Sequence, residues 1–180
     1  MKSLWDVGLV EREYSLIGLI IVQWGALEAE IFEQTLESFG TDIHVSELPK
    51  EMNNLNFGAV LKLWKSLVVD LLQGERRAVI EEAYEKIMAL QDARNSIVHG
   101  MWMFSVSKPQ ELSTYRIKKD KLIKTLFEEG YLEQFADDIA ELNAKIRYPE
   151  GFVEFLADQL RDGGYVNLAA VRRIKLESNK

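Results

Sequence analysis

The chain has no cysteine, only two histidines and only three prolines in 180 residues, and each scarcity closes off a class of chemistry. Without cysteine there are no disulfides, thiol nucleophiles, thiolate zinc sites or iron–sulfur clusters. His44 and His99 cannot form a three-histidine metal site within one chain, so neither metal nor cofactor is expected. The acids outnumber the bases, 29 to 22, and the net charge of −7 argues against a broad basic sheath for nucleic acid or anionic lipid. A local basic site is still compatible with that balance. There is no phosphate loop, dinucleotide fingerprint, calcium loop or nucleophile elbow. The longest apolar run, Leu16 to Val22, is followed by Gln23 and Glu28 and falls short of the roughly 20 residues that span a bilayer. It reads as a buried helix, with no membrane as partner. Met1 to Arg12 carries acids and lacks the apolar core of a signal peptide, so a cytoplasmic location is expected.

What the chain does have is an ordinary globular balance, 47% apolar and 28% charged, in a length suited to one core. From about Asp6 to Phe39, Val10, Tyr14, Ile17, Ile21, Trp24 and Ile31 recur at the spacing of one helix face. Thr41 to Asn54, with Pro49, reads as a loop. A second helix is expected from about Leu55 to Gly74 on Val60, Leu63, Trp64, Leu67 and Leu71, and a third from Glu75 through Ile87 and Ile97, with Gly100 at its cap. Met101 to Val106 and Ser113 to Ile117 are rich in aromatic and β-branched residues and flank a turn-like Ser107 to Gln110, which predicts a hairpin. Asp120 is expected to cap a fourth helix through Leu122, Leu126, Leu132, Phe135 and Ile139, and Pro149 to open a fifth over Glu150 to Leu160. The expected fold is therefore all-α: an antiparallel bundle of about five helices in one domain, residues 1–162, with a small β-hairpin inserted after the third helix. Residues 163–180 form a C-terminal extension with a short helix around Leu168 to Ile174.

Chemistry is densest between Ala93 and Trp102. At about 100° per residue, Asp92, Asn95, Ser96 and His99 share one helix stripe, while Arg94 falls on the apolar stripe of Ile87, Leu90 and Ile97. A guanidinium there needs a carboxylate or a phosphate. The first helix has an answering residue: Glu28 lies within its apolar stripe, near Gly25, where the missing side chain lets another backbone approach. If the first and third helices are neighbours, Glu28 and Arg94 meet. Spacing alone leaves two accounts open, a structural ion pair and a catalytic site. The structural account predicts a loss of about 3 kcal/mol on Arg94→Ala, the cost of breaking a buried pair.

Arg94, Asn95 and, after four intervening residues, His99 at the end of a helix resemble the R-x4-6-H motif of the HEPN superfamily of helical-bundle proteins. The stretch Trp24 to Glu28 is similar to part of the first long helix of some members, and the bundle reading covers roughly Val10 to Leu160. The resemblance implies a metal-independent endoribonuclease, in a toxin–antitoxin or phage-defence setting, in which a ribose 2′-hydroxyl attacks the adjacent phosphate. His99 would then be the general acid or base, Arg94 the phosphate clamp and Asn95 an orienting partner, supported by Glu28, Asp92, Ser96 and Trp102. Five helical steps separate Arg94 and His99 by about 140°, so the implied site is a composite one in a homodimer. The implied partners are RNA and an antitoxin or regulatory protein. The alternative is a non-catalytic binding or regulatory module, since some HEPN-like proteins lack nuclease activity; a nucleotide-binding regulator of a nucleotidyltransferase is a third reading.

Arg116, Lys118, Lys119, Lys121 and Lys124 face only Asp120 in sequence, so this cluster either contacts an RNA backbone or is a solvated helix start. Trp24 and Trp64 fall on core stripes, whereas Trp102 either walls the site or packs the hairpin on the bundle. Trp5 adds nothing further, and His44 reads as a surface loop residue.

Overall fold

The computed structural model describes residues 8–40, 48–151, 153–155 and 157. Its elements follow the order α1 (Glu11–Glu37), α2 (Phe57–Leu67), α3 (Gly74–His99), β1 (Met101–Ser105), β2 (Lys108–Lys118), β3 (Lys121–Phe127) and α4 (Tyr131–Arg147). Short 3-10 turns precede and follow α2. Trp5, His44, most of the expected fifth helix and the extension 163–180 lie outside the described residues.

The termini of the helices have identifiable causes. Asn56 caps α2, its Oδ1 accepting from the Ala59 amide at 3.0 Å, and the Glu13 carboxylate folds back to the Val10 amide at 2.7 Å to open α1. α1 lies along α4 and α2 and touches α3. Its inner stripe is Ile20, Trp24, Leu27 and Ile31, each 0–1% exposed, and these pack with Leu61, Trp64, Ile87, Ile97, Phe135 and Ile139 in one core. Each such large side chain contributes roughly 1.5–3 kcal/mol on burial. Both buried indoles are satisfied: Trp24 Nε1 donates to Glu28 Oε1 at 2.7 Å and Trp64 Nε1 to Gln34 Oε1 at 3.0 Å.

Several expectations are corrected. The protein is mostly helical but not all-α, and in place of the two-stranded hairpin there is a three-stranded antiparallel sheet in the order β1-β2-β3. Its third strand occupies residues assigned in sequence to the start of the fourth helix. Asp120 caps nothing; it and Lys119 both have positive φ, 61° and 48°, and form the tight turn joining β2 to β3. The helix begins eleven residues later, at Tyr131, after Gly130 in the left-handed conformation. The spacing of Leu122 and Leu126 fits a helix turn and a strand face equally well. Pro149 to Gly151 is a turn, and helical residues resume at 153–155.

The apolar stripe of the first helix is also rotated. Val10, Tyr14, Ile21 and Val22 are 60%, 50%, 45% and 71% exposed, so the run Leu16 to Val22 is buried on one side only. By length and composition α1 is apolar enough to cross a membrane, with mean hydropathy 1.5, yet its inner stripe is committed to the bundle core.

Candidate functional site

The C-terminal half of α3 is clasped from two directions, by α1 on one side and by the sheet on the other. On the α1 side, the expected meeting occurs: Arg94 Nη2 donates to Glu28 Oε1 at 3.4 Å. Its Nη1 donates to Asn95 Oδ1 at 3.3 Å, and its guanidinium lies 5.7 Å from the Trp24 ring centroid, within cation–π range. The pair is shallow, with side chains 23% and 32% exposed, and both contacts are long. Arg94 Nε is buried and has no hydrogen-bond partner among the described residues. The arginine is therefore positioned without being saturated.

On the sheet side the Ser96 hydroxyl is fully used, although Thr114 Oγ1, buried on the same face, has no hydrogen-bond partner among the described residues. Ser96 is 1% exposed; its hydroxyl donates to the Asp92 carbonyl at 3.0 Å and accepts from Arg116 Nε at 3.0 Å and Thr125 Oγ1 at 2.9 Å. Arg116 Nη2 and Lys118 Nζ both reach Asp92 Oδ1, at 3.1 and 2.7 Å. The hydrogen bond from Lys118 holds the Asp92 carboxyl below the usual carboxylate range; burial opposes it, and Arg116 assists to a lesser degree. Alternation along β2 and β3 places Thr114, Arg116 and Lys118 with Thr125 on the face turned towards α3.

Gly100 makes this approach possible. It sits at the C-cap of α3 as expected, but its φ of −77° and ψ of 147° are extended, so no left-handed turn requires glycine. A Cβ there would instead collide with the Ser96 carbonyl and the Thr114 side chain. The helix end and strand β2 touch backbone to side chain at this point.

The residues expected to form one site are thus separated by the fold. The stripe Asp92, Asn95, Ser96 and His99 is divided: Asp92 and Ser96 bond to the sheet, Asn95 turns to Arg94, and His99 is exposed. His99 makes no side-chain hydrogen bond among the described residues. Trp102 does not wall an open site; it packs on the core with its ring 5.3 Å from that of Phe127. Of the five cations in the cluster expected to meet RNA, Arg116 is turned inward, its side chain 12% exposed, Lys118 is paired with Asp92, and Lys124 Nζ lies 5.4 Å from the Tyr115 ring centroid. Lys119 lies in the exposed β2–β3 turn and Lys121 follows it at the start of β3. Thr114, Thr125 and the packing role of Gly100 were not singled out in sequence; the alternation of Thr114, Arg116 and Lys118 was the available signal. No group of three or more histidines, cysteines, aspartates or glutamates is placed to hold a metal ion among the described residues.

Comparison with family models, with curated proteins and with solved structures gives no match to this chain.

Proposed function

We propose that the protein is a metal-independent endoribonuclease of the HEPN type, active in the cytoplasm as a homodimer with a composite site, in a toxin–antitoxin or phage-defence setting. The observation that carries this reading is the contrast between His99, exposed at the end of α3 and without a side-chain hydrogen bond among the described residues, and Arg94 five residues earlier, held by one 3.4 Å contact to a carboxylate. Histidine exchanges protons near neutral pH. Arg94 exchanges the Glu28 carboxylate for a phosphate, which its planar guanidinium fits equally well. The ribose 2′-hydroxyl loses its proton to a histidine and attacks phosphorus. Arg94 stabilises the charge on the non-bridging oxygens, and the 5′-oxygen leaves with a proton from a second histidine. The products carry a 2′,3′-cyclic phosphate and a 5′-hydroxyl. Lys119, Lys121 and Lys124 supply sequence-independent phosphate contacts, and a protein antitoxin or regulator would hold the activity in check.

The test is RNA cleavage in excess EDTA by the parent and by His99→Ala, with product ends identified and folding followed by circular dichroism. A loss of about 100-fold or more in a folded His99→Ala protein is expected; undiminished cleavage by that variant overturns the assignment. A second reading, a non-catalytic binding or regulatory module, is favoured by the contacts that Arg94 already makes with Glu28, Asn95 and Trp24. Absence of cleavage of tRNA, rRNA and mRNA by the parent selects it.

A further inference from the structure

The outer face of α1 carries a long uncharged stretch. From Tyr14 to Leu27 the helix holds no charged residue, and the stripe Tyr14, Gly18, Ile21, Val22, Gly25 and Ala29 lies opposite the buried Ile20, Trp24, Leu27 and Ile31. Tyr14, Leu19, Ile21 and Val22 are 50%, 45%, 45% and 71% exposed, together about 400 Å² of apolar surface, comparable to the largest patch on a typical monomer, which is often functional. Gly18 and Gly25 are open, with nothing among the described residues within 4 Å of a Cβ built on either.

The stripe is also complementary to itself. About a centre between Ile21 and Val22, Gly18 mirrors Gly25 and Tyr14 mirrors Ala29. In an antiparallel two-fold crossing the two glycines face each other and let the helices close. Ile21 then layers with the partner's Val22, and Tyr14 with the partner's Ala29, large against small. Such mirror matching is what an isologous contact requires and what an unrelated partner would not select for.

We propose that the outer face of α1 is the interface between two copies of this chain, crossed antiparallel at Ile21 and Val22. The two patches and their rims amount to about 1,000 Å² of buried surface, the least that a complementary interface needs and in the range of reversible association. The crossing sets the partner's Tyr14 at the level of Ala29 and beside Glu28, the carboxylate that holds Arg94, so the second copy reaches the candidate site. This rests on the dimeric part of the functional reading and not on its chemistry.

Sedimentation equilibrium of the full chain, without RNA, tests it. The parent is expected to be a dimer at micromolar concentration, and Val22→Glu to weaken dimerisation by at least ~100-fold, because each interface would then bury unpaired carboxylates. Val22 is 71% exposed in one chain, so the variant keeps its fold. Because the chain has no cysteine, single cysteines report register. Ile21→Cys is expected to cross-link to itself, whereas Tyr14→Cys, whose two copies would be about 22 Å apart along the axis, cross-links only when mixed with Ala29→Cys. A monomeric parent, a dimer indifferent to Val22→Glu, or self-linking of Tyr14→Cys overturns the proposal. Binding of a monomeric parent to phosphatidylcholine vesicles that is lost in Val22→Glu would assign the face to lipid instead. Cleavage assays on the same proteins stand apart: a dimer without ribonuclease activity leaves this interface intact and removes only the catalytic reading.

Discussion

Arg94 and Arg116 are both cations at the C-terminal half of α3, and both meet an acid there, but they are held differently. Arg116 reaches in from β2 and finds a set of acceptors, the Ser96 hydroxyl at 3.0 Å and Asp92 at 3.1 Å, within a network that uses the serine hydroxyl fully. Arg94 reaches from α3 towards α1 and finds 3.3 and 3.4 Å contacts, an aromatic face and, among the described residues, no acceptor for Nε. A guanidinium with close acceptors braces a fold; one whose contacts are long and whose side chain is 23% exposed can exchange its Nη partners for an anion, while its Nε stays buried. The difference assigns Arg116 to architecture and leaves Arg94 as the candidate for phosphate.

The largest effect should come from separating the two sides physically. Gly100→Ala is expected to lower stability by about 3 kcal/mol, since the added methyl has only backbone and a packed threonine to displace; chemical denaturation measures it. Hydrogen exchange in the variant should rise in β2 and β3 while α1 stays protected. Next in size, Arg116→Ala should cost about 2 kcal/mol, the penalty for leaving the buried Ser96 hydroxyl and its neighbours short of a donor. Lysine at this position should restore little, because it cannot serve Ser96 and Asp92 together.

Arg94→Ala should cost only about 1 kcal/mol, near the upper end for exposed pairs. The value of about 3 kcal/mol expected for a buried pair does not apply to side chains 23% and 32% exposed with a 3.4 Å contact. A measured loss of 3 kcal/mol would make Arg94 a brace like Arg116 and erase the comparison. The smallest effect is that of pH on the hairpin tip. Lys118 and Arg116 depress the folded-state pKa of Asp92, so its contribution is complete above the ordinary carboxylate pKa of about 3.9 and is lost as pH falls through the lower folded value. Exchange at the β2–β3 turn should rise below about pH 4 in the parent, and Asp92→Asn should abolish that dependence.

Much of the helical frame was legible because period and punctuation agree. The ends read at about Leu55, Gly74 and Gly100 fall within a few residues of the observed ones except at the C-terminus of α2, and the cap at Asn56 emerged only from the structure. The sheet was half legible. Met101 to Ile117 carried a strand signal, but Leu122 to Phe127 is short and apolar enough to satisfy either period, and only pairing with β2 resolves it. The meeting of Glu28 with Arg94 followed from two charges on two apolar stripes, each needing the other. The division of the polar stripe did not follow, because helix periodicity says which residues share a face and nothing about what covers it.

The sequence by itself determined the absence of thiol chemistry, the helical character of the chain, and a concentration of polar residues before Gly100, since these depend on residue identity and local spacing. Only the tertiary structure decided which polar residue does what. β2 and β3 fold back on α3 and bury Ser96 beneath Arg116 and Thr125, α1 brings Glu28 and Trp24 to Arg94, and His99 is left facing solvent. Each of those outcomes depends on a contact between residues 20 to 70 positions apart, and no local pattern carries that information.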